Sequence, residues 1–99
     1  MSKITTRMKR HVRHVLKDEN PTIWVGKEGL TPQLSGEIEK QLQRNKMVKV
    51  RILPAALQGE VTAQSIAVIA AEETKAALVE VRGHVFILFR KRRTEEAAE

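Results

Sequence analysis

The chain has 99 residues and no cysteine, so a disulfide framework and thiolate metal sites are excluded. Lys and Arg total 18 against 12 Asp and Glu, which gives a formal net charge of +6 and a pI near 10.1. This length predicts one domain with one modest core, and this charge predicts an anionic partner, either nucleic acid or an acidic membrane face. Neither a membrane-spanning apolar run nor a signal-peptide core is recognisable, so we expect a cytoplasmic protein.

Residues 3–18 are predicted to form an amphipathic helix. Apolar side chains recur at helical spacing at Ile4, Met8, Val12, Val15 and Leu16. The remaining positions are strongly basic and include Arg7, Arg10 and Arg13, with no acidic residue before Asp18. Such a face fits either phosphate contacts or a solvated helix that packs on the domain. A membrane-surface helix is disfavoured because the apolar face lacks Trp and Phe.

A short strand at residues 23–25 is predicted to lead into a turn and a second helix. The turn is the run Gly26-Lys27-Glu28-Gly29. Thr31 is a candidate N-cap, and Pro32 would occupy the first helical position. Glycine backbone, a helix N-terminus and the Lys27 ammonium are the parts of a phosphate-contacting site, although Glu28 would repel phosphate unless it points away. A plain strand-to-helix turn explains the same spacing, because two glycines three apart are common.

Downstream, helices and strands are predicted to alternate. The expected elements are a helix at 32–45, a strand at 47–53, a helix at 61–75, and strands at 77–82 and 85–89. In the 47–53 strand, Lys49 and Arg51 alternate with apolar residues, so one face should be core and the other positive. The last strand is almost wholly apolar and is expected to be central, joined to the preceding strand by a hairpin turn.

The order α-β-α-β-α-β-β predicts an α/β fold, a single compact domain in which helices pack on a four-stranded mixed sheet. The domain is expected to span residues 1–93, followed by an acidic flexible tail at 94–99. Three details of packing are also expected. Ile69 should be buried, Val79 and Val81 should share a face, and Gly36 should mark close packing.

In combination, these segments resemble the CRM domain, a YhbY-like group found in bacteria and archaea and repeated in plant organelle splicing factors. The likeness covers residues 3–92 and rests on three motifs: Gly26-Lys27-Glu28-Gly29-Leu30-Thr31, Ala71-Glu72-Glu73-Thr74 and Gly83…Phe89-Arg90. It implies a fold similar to the C-terminal domain of translation initiation factor three. It also implies an RNA-binding module, whose stand-alone relatives are associated with precursors of the large ribosomal subunit. Relatives often have Tyr where Phe89 stands, so a hydroxyl contact is lost there.

We therefore predict a non-enzymatic protein that contacts structured ribosomal or precursor ribosomal RNA, with pre-ribosomal particles as a further partner. The predicted RNA-binding residues are Arg7, Arg10, Arg13, Trp24, Gly26, Lys27, Glu28, Gly29, Lys49, Arg51 and Arg90. Trp24 should point away from the core beside the loop, where stacking on a base is one interpretation. Phe86 and Phe89 are expected in the core.

Two alternatives fit the same charge: an Alba-like protein that binds DNA or chromatin, and a protein-interaction scaffold on a ribonucleoprotein. Catalysis is disfavoured because the carboxylates occur as solvated runs. His11 and His14 lie one helical turn apart but have no evident third metal ligand. No metal, cofactor, small-molecule substrate or membrane partner is expected.

Overall fold

The computed structural model describes residues 5–17 and 19–90. Its elements are α1 (Thr6–Leu16), β1 (Ile23–Val25), α2 (Pro32–Asn45), β2 (Met47–Ile52), a 3-10 turn (Pro54–Ala56), α3 (Ala63–Thr74), β3 (Ala77–Arg82) and β4 (Val85–Phe89). The predicted order of helices and strands is confirmed, and the short 3-10 turn is the one addition within this range. The predictions for Ile4 and for the 94–99 tail lie outside the described residues.

Each helix begins after a threonine that caps it. The hydroxyls of Thr5, Thr31 and Thr62 each accept the backbone N–H three residues later, at 3.1 Å. A cap of this kind stabilises a helix by about 1 kcal/mol. Helices α2 and α3 end at Lys46 and Lys75, whose φ angles of 68° and 55° are left-handed and stop the helical path.

The four strands form one sheet in the order β1-β2-β4-β3, with β1 parallel to β2 and the other two pairings antiparallel. Strand β4 is therefore central, as predicted, and β3 and β4 form the predicted hairpin. The loop after β1, the segment after β2 and the turn before β4 meet at one end of the sheet. Backbone hydrogen bonds fix this end, from Leu53 N–H to Val25 O at 2.9 Å and from Ile52 N–H to His84 O.

Apolar side chains pack on both faces of the sheet. Helices α2 and α3 cover one face, where the core includes Ile38, Leu42 and Phe86. Helix α1 packs on the other face with Val12 and Leu16 in a smaller cluster, which is completed by Val79, Ile87 and Phe89. Both phenylalanines are buried, as predicted, on opposite faces of β4.

The predicted alternation in β3 is wrong because the strand contains a β-bulge. The pairing register with β4 shifts between Leu78 and Glu80. Val79 packs in the α1 cluster, whereas Val81 packs against the larger core on the other face. A bulge places two consecutive residues opposite one partner residue, so Val79 and Glu80 both lie on the α1 side of the sheet. This shift brings the Glu80 carboxylate to the α1 face.

Three further packing expectations are wrong. Val15 and Ile69 are exposed. Each lies one position before a buried residue of its helix, about 100° around the axis from it. In α3 the alanines make the contact with the sheet, so the buried stripe does not reach Ile69. Gly36 is exposed, and a methyl group at its Cα would meet no atom within 4 Å, so this glycine does not mark close packing.

Candidate nucleic-acid interface

Positive charge is concentrated on the α1 side of the sheet. The helix carries four Lys or Arg residues and no acidic residue over Thr6–Leu16. Because Val12 and Leu16 hold its apolar side against the sheet, the predicted residues Arg7, Arg10 and Arg13 are exposed. By contrast, α3 on the opposite layer has no Lys or Arg and carries two glutamates. The two layers therefore differ in electrostatic character, and an anionic ligand is attracted to the α1 layer.

A groove of about 510 Å³ runs between α1 and the uncovered part of the sheet. The described residues contribute five cations and one carboxylate to its lining, from Arg10, Arg13, Lys17, Lys49, Arg82 and Glu80. Of these cations, Lys17 and Arg82 were not among the predicted site residues. Lys17 could have been predicted, because it follows Arg10 and Arg13 at helical spacing. Only the fold brings Arg82 of β3 beside them.

Glu80 lies between two arginines of this groove. Its Oε1 is 3.9 Å from Nη1 of Arg13 and 3.7 Å from Nη2 of Arg82. The side chains of Arg13 and Arg82 remain 43% and 84% exposed. Exposed ion pairs of this length are weak, so both guanidinium groups stay accessible to a second anion.

Next to the groove, one row of residues crosses all four strands on the α1 face. The pairing register aligns Trp24 with Arg51, Arg51 with Val85, and Val85 with Arg82. At a strand spacing of about 4.8 Å, this row spans about 14 Å. Trp24 is 52% exposed, as expected for a side chain that points away from the buried Ile23 and Val25.

The glycine loop forms a second, separate cavity of about 460 Å³ beside the first turn of α2. The Gly29 N–H donates to Gly26 O at 2.9 Å, and Gly29 has a φ of +73°, which favours glycine. Gly26 has no such angle, and a methyl group at either position would meet no atom within 4 Å. The predicted cap is confirmed, but it occupies the Leu34 N–H, and Pro32 has no N–H to offer.

Most of the cations predicted to bind RNA do not lie at this loop. Among the described residues, Lys27 is the single cation that lines the loop cavity, and Glu28 and Glu37 line it too. Within residues 5–17 and 19–90, the groove and the loop cavity share no lining residue. The physical reason is that α2 and α1 lie on opposite faces of the sheet. The loop therefore offers backbone and one ammonium, while most of the positive charge lies on the other face.

Two of the predicted cations, Lys49 and Arg90, make hydrogen bonds within the fold, although Lys49 also lines the groove. Lys49 donates from Nζ to the carbonyl oxygens of Leu16 and Glu19, both at 3.0 Å. Arg90 lies at the end of the sheet opposite the glycine loop, where its backbone N–H donates to Lys46 O at 2.8 Å.

The Arg90 guanidinium group is held on two sides. It donates from Nη1 to Thr74 O at 2.7 Å and pairs through Nη2 with the Glu39 carboxylate. Its side chain is 18% exposed. Arg90 therefore lies apart from both the groove and the loop, and its contacts tie β4 to α2 and α3.

Two features of the described residues bear on other functions. Over residues 5–17 and 19–90, no three His, Cys, Asp or Glu side chains lie close enough together to share a metal ion. None of the helices in these ranges has the length and apolar character needed to cross a bilayer.

Comparison with known proteins identifies the family. The profile of the CRS1 / YhbY (CRM) domain matches residues 4–90, so the chain belongs to that family. A protein of Methanocaldococcus jannaschii, named a probable RNA-binding protein, is 39% identical over 90 residues, which make up 91% of this chain and 66% of that protein. This chain thus spans just under two thirds of that relative's length.

Two other similar proteins agree with this assignment. A protein of Haemophilus influenzae named an RNA-binding protein is 33% identical over 97 residues, which cover 98% of this chain and 93% of that protein. The solution structure of a hypothetical protein from Staphylococcus aureus superposes with a TM-score of 0.75 at 22% identity, covering 92% of both chains. That likeness confirms the fold.

Proposed function

We propose that this chain is an RNA-binding protein that recognises folded RNA through the sugar–phosphate backbone, without catalysis. The observation that carries the proposal is the one-sided distribution of charge. Arg10 and Arg13 of α1 line a single groove together with Arg82, and the acidic α3 lies on the far layer. Two relatives named as RNA-binding proteins support it. Phosphate contacts supply most of the affinity of such a surface and make it depend on salt.

In this proposal the groove is the main contact and the glycine loop is a smaller one. The groove offers exposed guanidinium groups, which suit phosphate oxygens geometrically. The loop offers close backbone approach at Gly29 and the charge of Lys27, next to two carboxylates that limit its attraction for phosphate. Arg51 lies between the two regions, on the strand next to Trp24.

The RNA that we propose is ribosomal or precursor ribosomal RNA of the large subunit, bound during assembly of that subunit. Phe86 and Phe89 are buried, which leaves Trp24 as the exposed aromatic residue of the described chain. One aromatic side chain cannot read a run of single-stranded bases. Recognition of a folded RNA by shape and phosphate positions fits this surface better.

The test is to crosslink the protein to RNA in cells and sequence the attached fragments. We expect enrichment of large-subunit ribosomal RNA and its precursors. A companion titration compares structured RNA with duplex DNA of equal length at the same salt concentration, since affinities at different salt are not comparable. Equal or tighter binding to DNA would contradict the proposal. Association with ribosomal particles that survives nuclease treatment would indicate a protein partner instead.

A further inference from the structure

Trp24 has a large aromatic side chain that is about half exposed to solvent in this fold. It lies on the edge strand β1, belongs to neither apolar cluster, and is 52% exposed. Trp is normally highly buried because its ring contributes a large apolar area to a core. Its exposure is therefore not explained by packing among the described residues, and it suggests contact with a ligand.

The surroundings of Trp24 indicate the chemistry of that ligand. Arg51 lies directly opposite on β2, so the two side chains leave the same face of the sheet about 5 Å apart. Gly26 and the loop follow two residues later in the chain. Trp24 lies at the β1 end of the row that crosses all four strands, and this row continues from Arg51 through Val85, a residue that lines the α1 groove, to Arg82. Trp24 is thus an apolar platform with Arg51 beside it on the neighbouring strand, and Lys27 of the loop follows it three residues later in the chain.

We propose that Trp24 stacks on an unpaired base of the bound RNA, while Arg51 and Lys27 contact the phosphates on either side of that nucleotide. The proposal rests on the function proposed above and specifies its substrate class as folded RNA with an extruded nucleotide. In a continuous helix the faces of the bases are covered by their neighbours, so an indole ring reaches only a base that has left the stack. An edge strand is accessible from the side, which allows the approach.

The experiment uses three stem-loop RNAs that share the same stem and loop sequence and differ only at one position in the stem. The first stem is fully paired, the second carries one bulged nucleotide, and the third carries the same bulge without its base. Trp24 is the single tryptophan, and the chain has no tyrosine, so protein fluorescence reports on this ring alone. We expect the base-containing bulge to quench this emission and to bind roughly tenfold tighter than the other two RNAs, in keeping with aromatic stacking on one base.

Two variants at position 24 separate stacking from apolar contact. Trp24→Phe keeps an aromatic face and should retain much of the preference for the bulged RNA. Trp24→Leu should bind all three RNAs with the affinity that the wild type has for the paired stem. Ile69→Ala is a matched control, because it removes an exposed apolar side chain from the opposite layer and should change nothing.

The outcomes distinguish this proposal from the one on which it rests. Binding to all three RNAs with equal affinity and unchanged emission would overturn the stacking role and leave RNA binding intact. A Trp24→Leu variant that keeps the preference for the bulge would overturn it too. Absence of salt-dependent binding to any of the RNAs would overturn the proposed function itself. Circular dichroism of each variant verifies that the fold is retained.

Discussion

Neutralising two groove arginines should reduce the salt dependence of RNA binding by a predictable amount. We choose Arg10→Gln together with Arg82→Gln, because both side chains line the groove and come from different elements. Each lost phosphate contact lowers the slope of log K against log salt by about 0.7–0.9, so the double variant should lose about 1.4–1.8. Over a fourfold rise in salt, the loss of affinity should then be roughly 7- to 12-fold smaller than for the wild type.

The assay is a fluorescence anisotropy titration with one structured RNA at four or more salt concentrations. The control is the double variant Lys40→Gln and Lys75→Gln, in which both changes lie on the face of the sheet that α2 and α3 cover. It lowers the net charge by the same amount as the groove variant and should leave the slope close to the wild-type value. If both double variants flatten the slope equally, overall charge and not the groove determines binding. If neither does, the groove is not the RNA contact.

Three smaller changes test individual residues. Glu80→Gln should remove a carboxylate that repels phosphate from the groove, and it should steepen the salt slope by up to about one contact. Glu72→Gln on α3 should not change the slope, and equal effects of the two variants would contradict a local role for Glu80. Gly29→Ala should lower the free energy of unfolding by about 1 kcal/mol, measured by thermal unfolding, because Gly29 has a positive φ. Gly26→Ala should leave stability unchanged, and equal stability of the two variants would contradict the argument from φ. Arg90→Gln should lower the free energy of unfolding by about 1.5–3 kcal/mol, because the charged hydrogen bonds of Arg90 are lost. The salt slope of RNA binding should stay unchanged, and a flatter slope would indicate that Arg90 contacts RNA.

The secondary structure was predictable because its signals are local. The Thr31 cap, the Pro at the first position of α2 and the period-two alternation of β2 each depend on neighbouring residues. The short connection between β3 and β4 predicted their hairpin, and the apolar sequence of β4 predicted its central position. These signals require no knowledge of distant contacts, which is why the bounds of β1, α2, β3 and β4 agree with the structure.

The composition of the site was less predictable because it depends on contacts between distant elements. The bulge at Val79 and Glu80 changes the face of the sheet on which the following residues of β3 lie. The alternating sequence of β3 does not reveal whether the strand contains a bulge. The groove then forms where α1 crosses that strand, and this brings Arg82 beside Arg13. The sequence identified the basic helix correctly but assigned the surrounding cations to the loop, which lies against the opposite layer.

The contacts of Lys49 and Arg90 show why a count of basic residues overstates the number of cations that a ligand can contact. Lys49 donates to the carbonyl of Leu16, the last residue of α1, and Arg90 donates to that of Thr74, the last residue of α3. The final carbonyls of a helix lack intrahelical donors and carry the negative end of the dipole, so a nearby cation stabilises them. Lys49 and Arg90 are distant in sequence from the carbonyl groups of Leu16 and Thr74, so no local sequence pattern predicts these hydrogen bonds. These hydrogen bonds hold the two side chains within the fold, although each keeps its positive charge. The salt slope should therefore follow the exposed groove arginines Arg10, Arg13 and Arg82, and not the number of basic residues in the chain.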